Sequence, residues 1–485
     1  MTLTSVFQQP AKCPICSQHV EQLIREFRGE GELRVVQKLQ SLTPSWSPAA
    51  GLCERCLYLN EFALREEGFL PDPDAMGVPQ QAGTTALRST LFRQRVGNEF
   101  ALLPTPLRLN ADPRFRGKGV TIAFIDSGFS PHPDLIKRWN RIRAIVDVTD
   151  DRFPRAYFSH PHVESWHGTM TSVAAAGDGY LSRGLYRGIA SDADVVLIKV
   201  WDTNTRHISM RDITRALRWA IEHAADYGIR IISLSVADDE PASLRESPVD
   251  LAVEDAVSKG IVVVTAVGNN PTKPIVPPAS SPSAITVGGL DDQNQIWKDY
   301  RQMFHSTFGT TLDGHLKPEL IAPAIWVAGP ILPGTDQSQE APLLFKLLHV
   351  GQRHAENILE NHRDILHHAP KGLAKGDYKS WARSRISEMK YIAPHYKHVD
   401  GTSFASPIVS SVVAQMLEAN PGLSPADVKA ILMHTAEPLR HVARDQQGKG
   451  VLNPRAAVEL ALAGTLRAGV HLRHPRTQHI PHNEQ

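Results

Sequence analysis

Four residues far apart in the chain have the side chains needed to turn a hydroxyl into a nucleophile. Asp126 ends the apolar stretch VTIAFI and leads into Ser127-Gly128, His167 opens HGTMTSVAAAG, and Ser403 lies in GTSFASP. Asn269 follows the apolar stretch IVVVTAV and Gly268. Attack on a carbonyl by a neutral hydroxyl requires a base, and the base requires a third group to fix its tautomer and offset its charge. Donors must also face the oxyanion that develops. The chain offers Ser403 as nucleophile, His167 as base, Asp126 as orienting carboxylate and Asn269 as donor. Singly, each segment reads as a turn, a histidine near a helix start or a helix cap. Together they point to acyl transfer.

The elements that would position them belong to one pattern. GVTIAFID, DADVVLIKVW, RIISLSV, IVVVTAVG and SAITVGGL read as buried strands, and RDITRALRWAIEHAADYG and LAVEDAVSKG as helices between them. Short β-branched runs alternating with amphipathic helices predict an α/β fold with a parallel sheet covered on both faces. Asp126 and Asn269 then stand at carboxyl ends of strands, where such sheets present functional groups. The small residues after His167 let a helix pack closely beneath the site. Ser403 precedes the helical run PIVSSVVAQMLEA, whose first N–H groups can bind an anion. Residues 341–368 read as one long helix with Pro342 in its first turn, and 377–392 as a second. They form a helical-hairpin insertion, 341–392, with a return strand YIAPHYKHV leading to Ser403; it is either a lid or docking element, or a passive decoration.

The segments IDSGFSPHPDL, HGTMTSVAAAG, AVGNN and DGTSFASP resemble, in order, the aspartate, histidine, oxyanion-asparagine and serine segments of the subtilisin-like (S8) serine peptidases. LKPELIAP and GKGVLNPRAAVELA extend the resemblance over residues 119–463. It implies a doubly wound, mostly parallel sheet of the subtilisin type and an endopeptidase acting on protein or peptide through an acyl-enzyme at Ser403. No cofactor is implied for catalysis. The position directly after Gly268 makes Asn269, not the adjacent Asn270, the oxyanion donor. Ser235, Val236 and Ala237 stand where the family has a glycine-rich wall of its primary specificity pocket, and with Gly268 they are the expected substrate-binding residues. Asp238 and Asp239 either favour a basic substrate residue or are solvated loop charges, and Asn204–Ile208 falls at the substrate-pairing strand. GDGYLSRGLYRG replaces the Asn-rich calcium loop of secreted members, so calcium is not expected.

All four cysteines lie near the amino terminus: Cys13 and Cys16 form one C-x2-C pair, Cys53 and Cys56 another. Two such pairs can place four thiolates around Zn²⁺, giving a small four-cysteine module with structural zinc; four buried thiols or two disulfides are the alternatives. His354 and His362 share a helix face and could join a metal site, although a solvated face suits them as well. The organisation expected is a zinc-binding module at 1–65, a Pro/Gly-rich linker and surface segment at 66–118, the peptidase domain at 119–465 and a tail at 466–485. A formal charge of +1 provides no field toward nucleic acid, and the longest apolar runs are of strand length, so neither nucleic acid nor membrane is an expected partner. Without a basic start and apolar stretch at the amino terminus, a cytoplasmic location is expected. The alternative function is a catalytically silent protease-fold regulatory or binding protein whose zinc module recognises a partner; in either case a regulatory protein partner could dock on the zinc module or the helical insertion.

Overall fold

The computed structural model describes residues 11–15, 19–20, 23–27, 30–52, 56–57, 60, 102–150, 155–295, 298–370, 373 and 377–464. Cys16, Cys53, most of the expected linker and the tail at 466–485 lie outside them. Near the amino terminus, β1 (Ala11–Lys12) pairs antiparallel with β2 (His19–Val20), and α1 (Glu30–Leu42) follows. Val35 and Leu39, four apart on α1, meet Leu23, Trp46 and Leu52 in a small core that also holds Cys13 and Cys56.

The larger part is built on β3 (Thr121–Asp126), β4 (Ile142–Asp147), α2 (Ser165–Ala176), β5 (Asp194–Lys199), α3 (Met210–Glu222), β6 (Ile229–Leu234), α4 (Pro248–Ser258), β7 (Val262–Ala266) and β8 (Ile285–Asp291). The short strands β9 (Gln302–Met303), β10 (Gly309–Thr310) and β11 (Leu316–Lys317) lead to β12 (Leu320–Pro323) and β13 (Val327–Pro330). The main sheet runs β12-β8-β7-β6-β3-β5-β4, parallel throughout, with β9 antiparallel on β8. This is the α/β, mostly parallel sheet the sequence predicts. Successive side chains of a strand point to opposite faces, and β3 divides accordingly. Ile122 and Phe124 enter one core, shared with α2, and Ala123 and Ile125 enter the other, under α3 and α4. Strand β4 escapes the sequence reading because, at the sheet edge, only Ala144 of its six residues is buried.

Beyond β13 the structure corrects the sequence reading. The expected single helix over 341–368 is two helices, α5 (Asp336–His349) and α6 (Gln352–Asn361). Thr335 caps α5 by accepting from Ser338 N, so the helix starts earlier and Pro342 lies inside it rather than in its first turn. Gly351 caps α6 and ends any continuity between the two. The second expected helix, 377–392, is α7 (Tyr378–Glu388) with Asp377 as its cap, and its last residues leave as strand. The single return strand is a hairpin, β14 (Tyr391–Ala393) and β15 (Tyr396–Val399), which joins β13 in an antiparallel sheet of order β13-β15-β14. Leu344, Leu347, Ile358, Ala382, Ile386 and Tyr391 close a separate core among these helices.

Helices α8 (Thr402–Ala419), α9 (Pro425–Thr435) and α10 (Pro454–Ala463) complete the chain. The middle of α8 is buried on all sides, and two of its hydroxyls bond within the helix: Ser410 donates to Ser406 O at 3.1 Å and Ser411 to Ile408 O at 2.6 Å. Residues 102–118 are more than a surface crossing. Buried Arg108 pairs with Asp292 and donates to Trp326 O at 2.6 Å and Leu103 O at 3.1 Å. Among the described residues no helix is long and apolar enough to cross a membrane.

Candidate active site

Strands β7, β6 and β3 are neighbours in the sheet, so their carboxyl ends place Gly268-Asn269, Ser235 and Asp126 along one edge. His167 is in the first turn of α2, which crosses that edge. Gly168 makes the crossing possible: a Cβ there would lie 2.4 Å from Gly128 O and 2.9 Å from Asp126 Cβ. The imidazole Nδ1 stands 2.6 Å from Asp126 Oδ1. Asp126 is 1% exposed, and its carboxylate also accepts from Ser127 N at 2.7 Å on Oδ1 and from Thr171 Oγ1 at 3.0 Å on Oδ2. Burial pulls the His167 pKa down, but the charge of Asp126 and its hydrogen bond together outweigh it, and the net shift is upward. With Nδ1 committed to Asp126, Nε2 is the nitrogen left for a proton transfer.

Ser403 is the second residue of α8, after an N-cap, Gly401, at φ 127, a backbone region that other residues rarely adopt. Of the first N–H groups of this long helix, Thr402 N donates to Asn269 Oδ1 and Phe404 N to Gly401 O, so the Ser403 N–H is the one placed to face an anion. The imidazole of His167 lies 6.2 Å, centroid to centroid, from the ring of Phe404, the residue after Ser403. Pro407, four residues on, has no N–H to offer the Ser403 carbonyl, and the Ser235 hydroxyl takes that place, donating at 2.9 Å. The end of β6 is thereby tied to the backbone of the serine.

Asn269 is held by the same helix end. Its Oδ1 accepts from Thr402 N at 2.8 Å and from Thr402 Oγ1 at 2.9 Å. These two donors orient the amide with oxygen toward α8, which leaves Nδ2 as the half able to donate elsewhere. The structure therefore brings Asp126 and His167 into contact and sets Asn269 against the residue preceding Ser403.

The expected substrate-binding residues divide. The Ser235 hydroxyl is engaged by Ser403 O; Val236 packs with Ile208 and Met210 against the α3/α4 core; Ala237 is exposed. Gly268 N donates to Thr402 Oγ1 at 3.3 Å. Asp239 stands 3.4 Å from His207 Nε2, joining the two loops expected to flank a substrate. Sequence reasoning missed Thr171 and Thr402. Thr171 carried a usable signal, since it lies four residues after His167 on a helix and so shares its face; Thr402 adjoins Ser403 and reads only as part of the turn.

Of the four cysteines, Cys13 and Cys56 are described, buried, with sulfurs 4.0 Å apart. Among the described residues no group of three or more His, Cys, Asp or Glu is placed to hold a metal, so His354 and His362 do not form one.

This fold and constellation define a class. The Subtilase family profile, of the S8 peptidases, matches residues 117–454, most of the chain, and the protein belongs to that family of subtilisin-like serine proteases. Among its relatives, serine protease AprX of Bacillus subtilis is 28% identical over 353 residues, covering 70% of this chain and 66% of AprX. Subtilisin BL of Lederbergia lenta is 24% identical over 341 residues, covering 70% of this chain and 91% of that protein. Fervidolysin of Fervidobacterium pennivorans, a keratinolytic enzyme related to subtilisin, shares the fold at a TM-score of 0.50 and 19% identity over 74% of this chain and 45% of its own.

Proposed function

We propose that the protein is a serine endopeptidase that cleaves protein or peptide substrates with Asp126, His167 and Ser403 as its triad. The observation that carries this reading is the 2.6 Å contact of His167 Nδ1 with buried Asp126, on the helix that faces the start of α8. His167 Nε2 takes the Ser403 hydroxyl proton as Oγ attacks the scissile carbonyl carbon. Asn269 Nδ2 and the Ser403 N–H donate to the oxyanion of the tetrahedral intermediate. The C–N bond then breaks as His167 returns the proton to the leaving amine, and water, deprotonated by His167, releases the acyl group from Ser403. A fluorophosphonate probe should label Ser403, and both Ser403→Ala and His167→Ala should abolish labelling while folding normally. Equal labelling of wild type and Ser403→Ala would remove the assignment.

The amino-terminal unit fits structural zinc in the donors that are described. Cys13 and Cys56, one from each C-x2-C pair, stand 4.0 Å apart, too far for a disulfide. That separation is close to the edge of about 3.8 Å expected of a tetrahedron with Zn–S near 2.3 Å. Cys16 and Cys53 would complete the set, and thiolates held this way suit a reducing, cytoplasmic setting. Protein purified under reducing conditions without chelator should carry about one zinc per chain; metal-free protein with intact near-ultraviolet circular dichroism would rule the site out.

The helices of 336–388 are assigned the role of restricting access to the cleft. Their entry loop lies against the loop before His167, where a Cβ on Gly334 would be 3.5 Å from Pro161 Cγ. Their exit hairpin leads into Gly401. Replacing them with a short Gly/Ser linker should broaden cleavage of folded substrates while leaving probe labelling intact. An unchanged substrate range would refute the gating role.

A further inference from the structure

The triad as proposed leaves one hydrogen bond without an assigned role. Thr171 is 1% exposed, lies one turn after His167 on α2, and places Oγ1 3.0 Å from Asp126 Oδ2. Its one hydroxyl proton has two acceptors in reach, Asp126 Oδ2 and, at 3.1 Å, Gly168 O. Gly168 O already accepts from Ser172 Oγ at 2.8 Å, whereas Asp126 Oδ2 faces a buried environment and carries charge. A hydrogen bond to an ionised acceptor is about twice as strong as one between neutral groups, so the proton goes to the carboxylate.

We infer that Thr171 is a positioning residue for catalysis: its hydroxyl disperses the charge of Asp126 and aims Oδ1 at His167, and so sets the pH at which His167 becomes a free base. The inference rests on the triad reading above. Three donors converge on this carboxylate: Ser127 N and His167 Nδ1 on Oδ1, and Thr171 on Oδ2. Thr171 is the one whose removal leaves the backbone and the imidazole untouched. Other charged groups near the pair are engaged elsewhere. Lys199, opposite Asp126 in the register of β5, donates to Asp147 Oδ2 at 2.7 Å, and Glu164, ahead of α2, accepts from the Tyr157 hydroxyl. From β6 and α8 the nearby groups are the uncharged Ser235, Ser403 and Phe404. Asp126 is the charge that acts on His167.

The sign follows. With the threonine hydroxyl gone, the charge on Asp126 is concentrated on the oxygen facing His167, the imidazolium is held more tightly, and a higher pH is needed to free the base. Thr171→Val keeps the volume and removes the donor; Thr171→Ser keeps the donor. The experiment is the pH profile of kcat/KM for a peptide substrate, with folding checked by circular dichroism. The Val variant should move the acid limb upward by about half a pH unit or more, the part of a charge-assisted hydrogen bond that passes through Asp126 to His167. The Ser variant should restore the wild-type midpoint. A Val profile that falls in height but keeps its midpoint would overturn the inference and leave Thr171 a packing residue. So would a Ser variant that shifts as far as Val. If the wild type fails to label at Ser403, the triad reading itself falls. If Val unfolds, the Ser midpoint and a Thr171→Cys profile, with its weaker donor and intermediate shift, decide the matter.

Discussion

Thr402 holds Asn269, the proposed oxyanion donor, by two bonds, and one of them can be removed without changing the backbone. Thr402→Val deletes the Oγ1 donor 2.9 Å from Asn269 Oδ1 while the N–H at 2.8 Å remains. Thr402 is 1% exposed, and valine matches its volume while losing the hydroxyl, so the change falls on hydrogen bonding. It also takes the acceptor 3.3 Å from Gly268 N, on the residue before Asn269. A neutral hydrogen bond contributes about 0.5–1.5 kcal/mol net, which is about two- to twelvefold in rate if it is expressed wholly in the transition state. Deleting the donor itself, with Asn269→Ala, should cost about 10²–10³ in kcat. The two effects should not multiply, because Thr402 acts through Asn269: the double variant should be no slower than Asn269→Ala alone. The assay is a double-mutant cycle on kcat, measured with a chromogenic peptide under saturating conditions. Multiplicative losses, with Thr402→Val costing as much in the Asn269→Ala background as in wild type, would refute the idea that Thr402 orients the amide.

Two further outcomes follow from the geometry. In the proposed triad His167 must be neutral to accept the Ser403 proton, and Asp126 raises its pKa against the effect of burial; the acid limb of kcat/KM should therefore have its midpoint above the usual histidine value of about 6.5, and Asp126→Asn should lower it. A wild-type midpoint below the usual value would contradict the pairing. Arg108→Ala should leave Asp292 buried without its counter-charge and destabilise the larger domain by about 3–5 kcal/mol in chemical denaturation; a loss under about 1 kcal/mol would show that Arg108 adds nothing beyond a surface ion pair.

Much of the site was legible because its signals are local. A carboxylate at the end of a β-branched run, a histidine before small residues, and a serine after Gly-Thr at a helix start each reflect a neighbourhood of a few residues. Periodicity likewise announced the alternation of strands and helices. It failed where local preference and tertiary placement diverge. The apolar positions of 341–368 suit one helix, yet Gly351 interrupts it and the packing of Leu347 and Ile358 into one small core requires the chain to turn. Residues 391–399 look like a single extended run, and the hairpin exists because β13 offers an antiparallel partner to Tyr396–Val399.

The sequence by itself therefore determined the fold class, the order of the reactive residues and the roles their chemistry suits, since strand ends and helix starts present side chains in directions that the backbone pattern dictates. Only the tertiary structure decided which hydroxyl meets which acceptor. The missing N–H at Pro407 opens the Ser403 carbonyl to the Ser235 hydroxyl, across 168 residues of sequence. Arg108 read as surface chain, but it is the buried counter-charge of Asp292, 184 residues away. Such pairings depend on how the layers stack, and a buried polar group must find its partner wherever the packing leaves one.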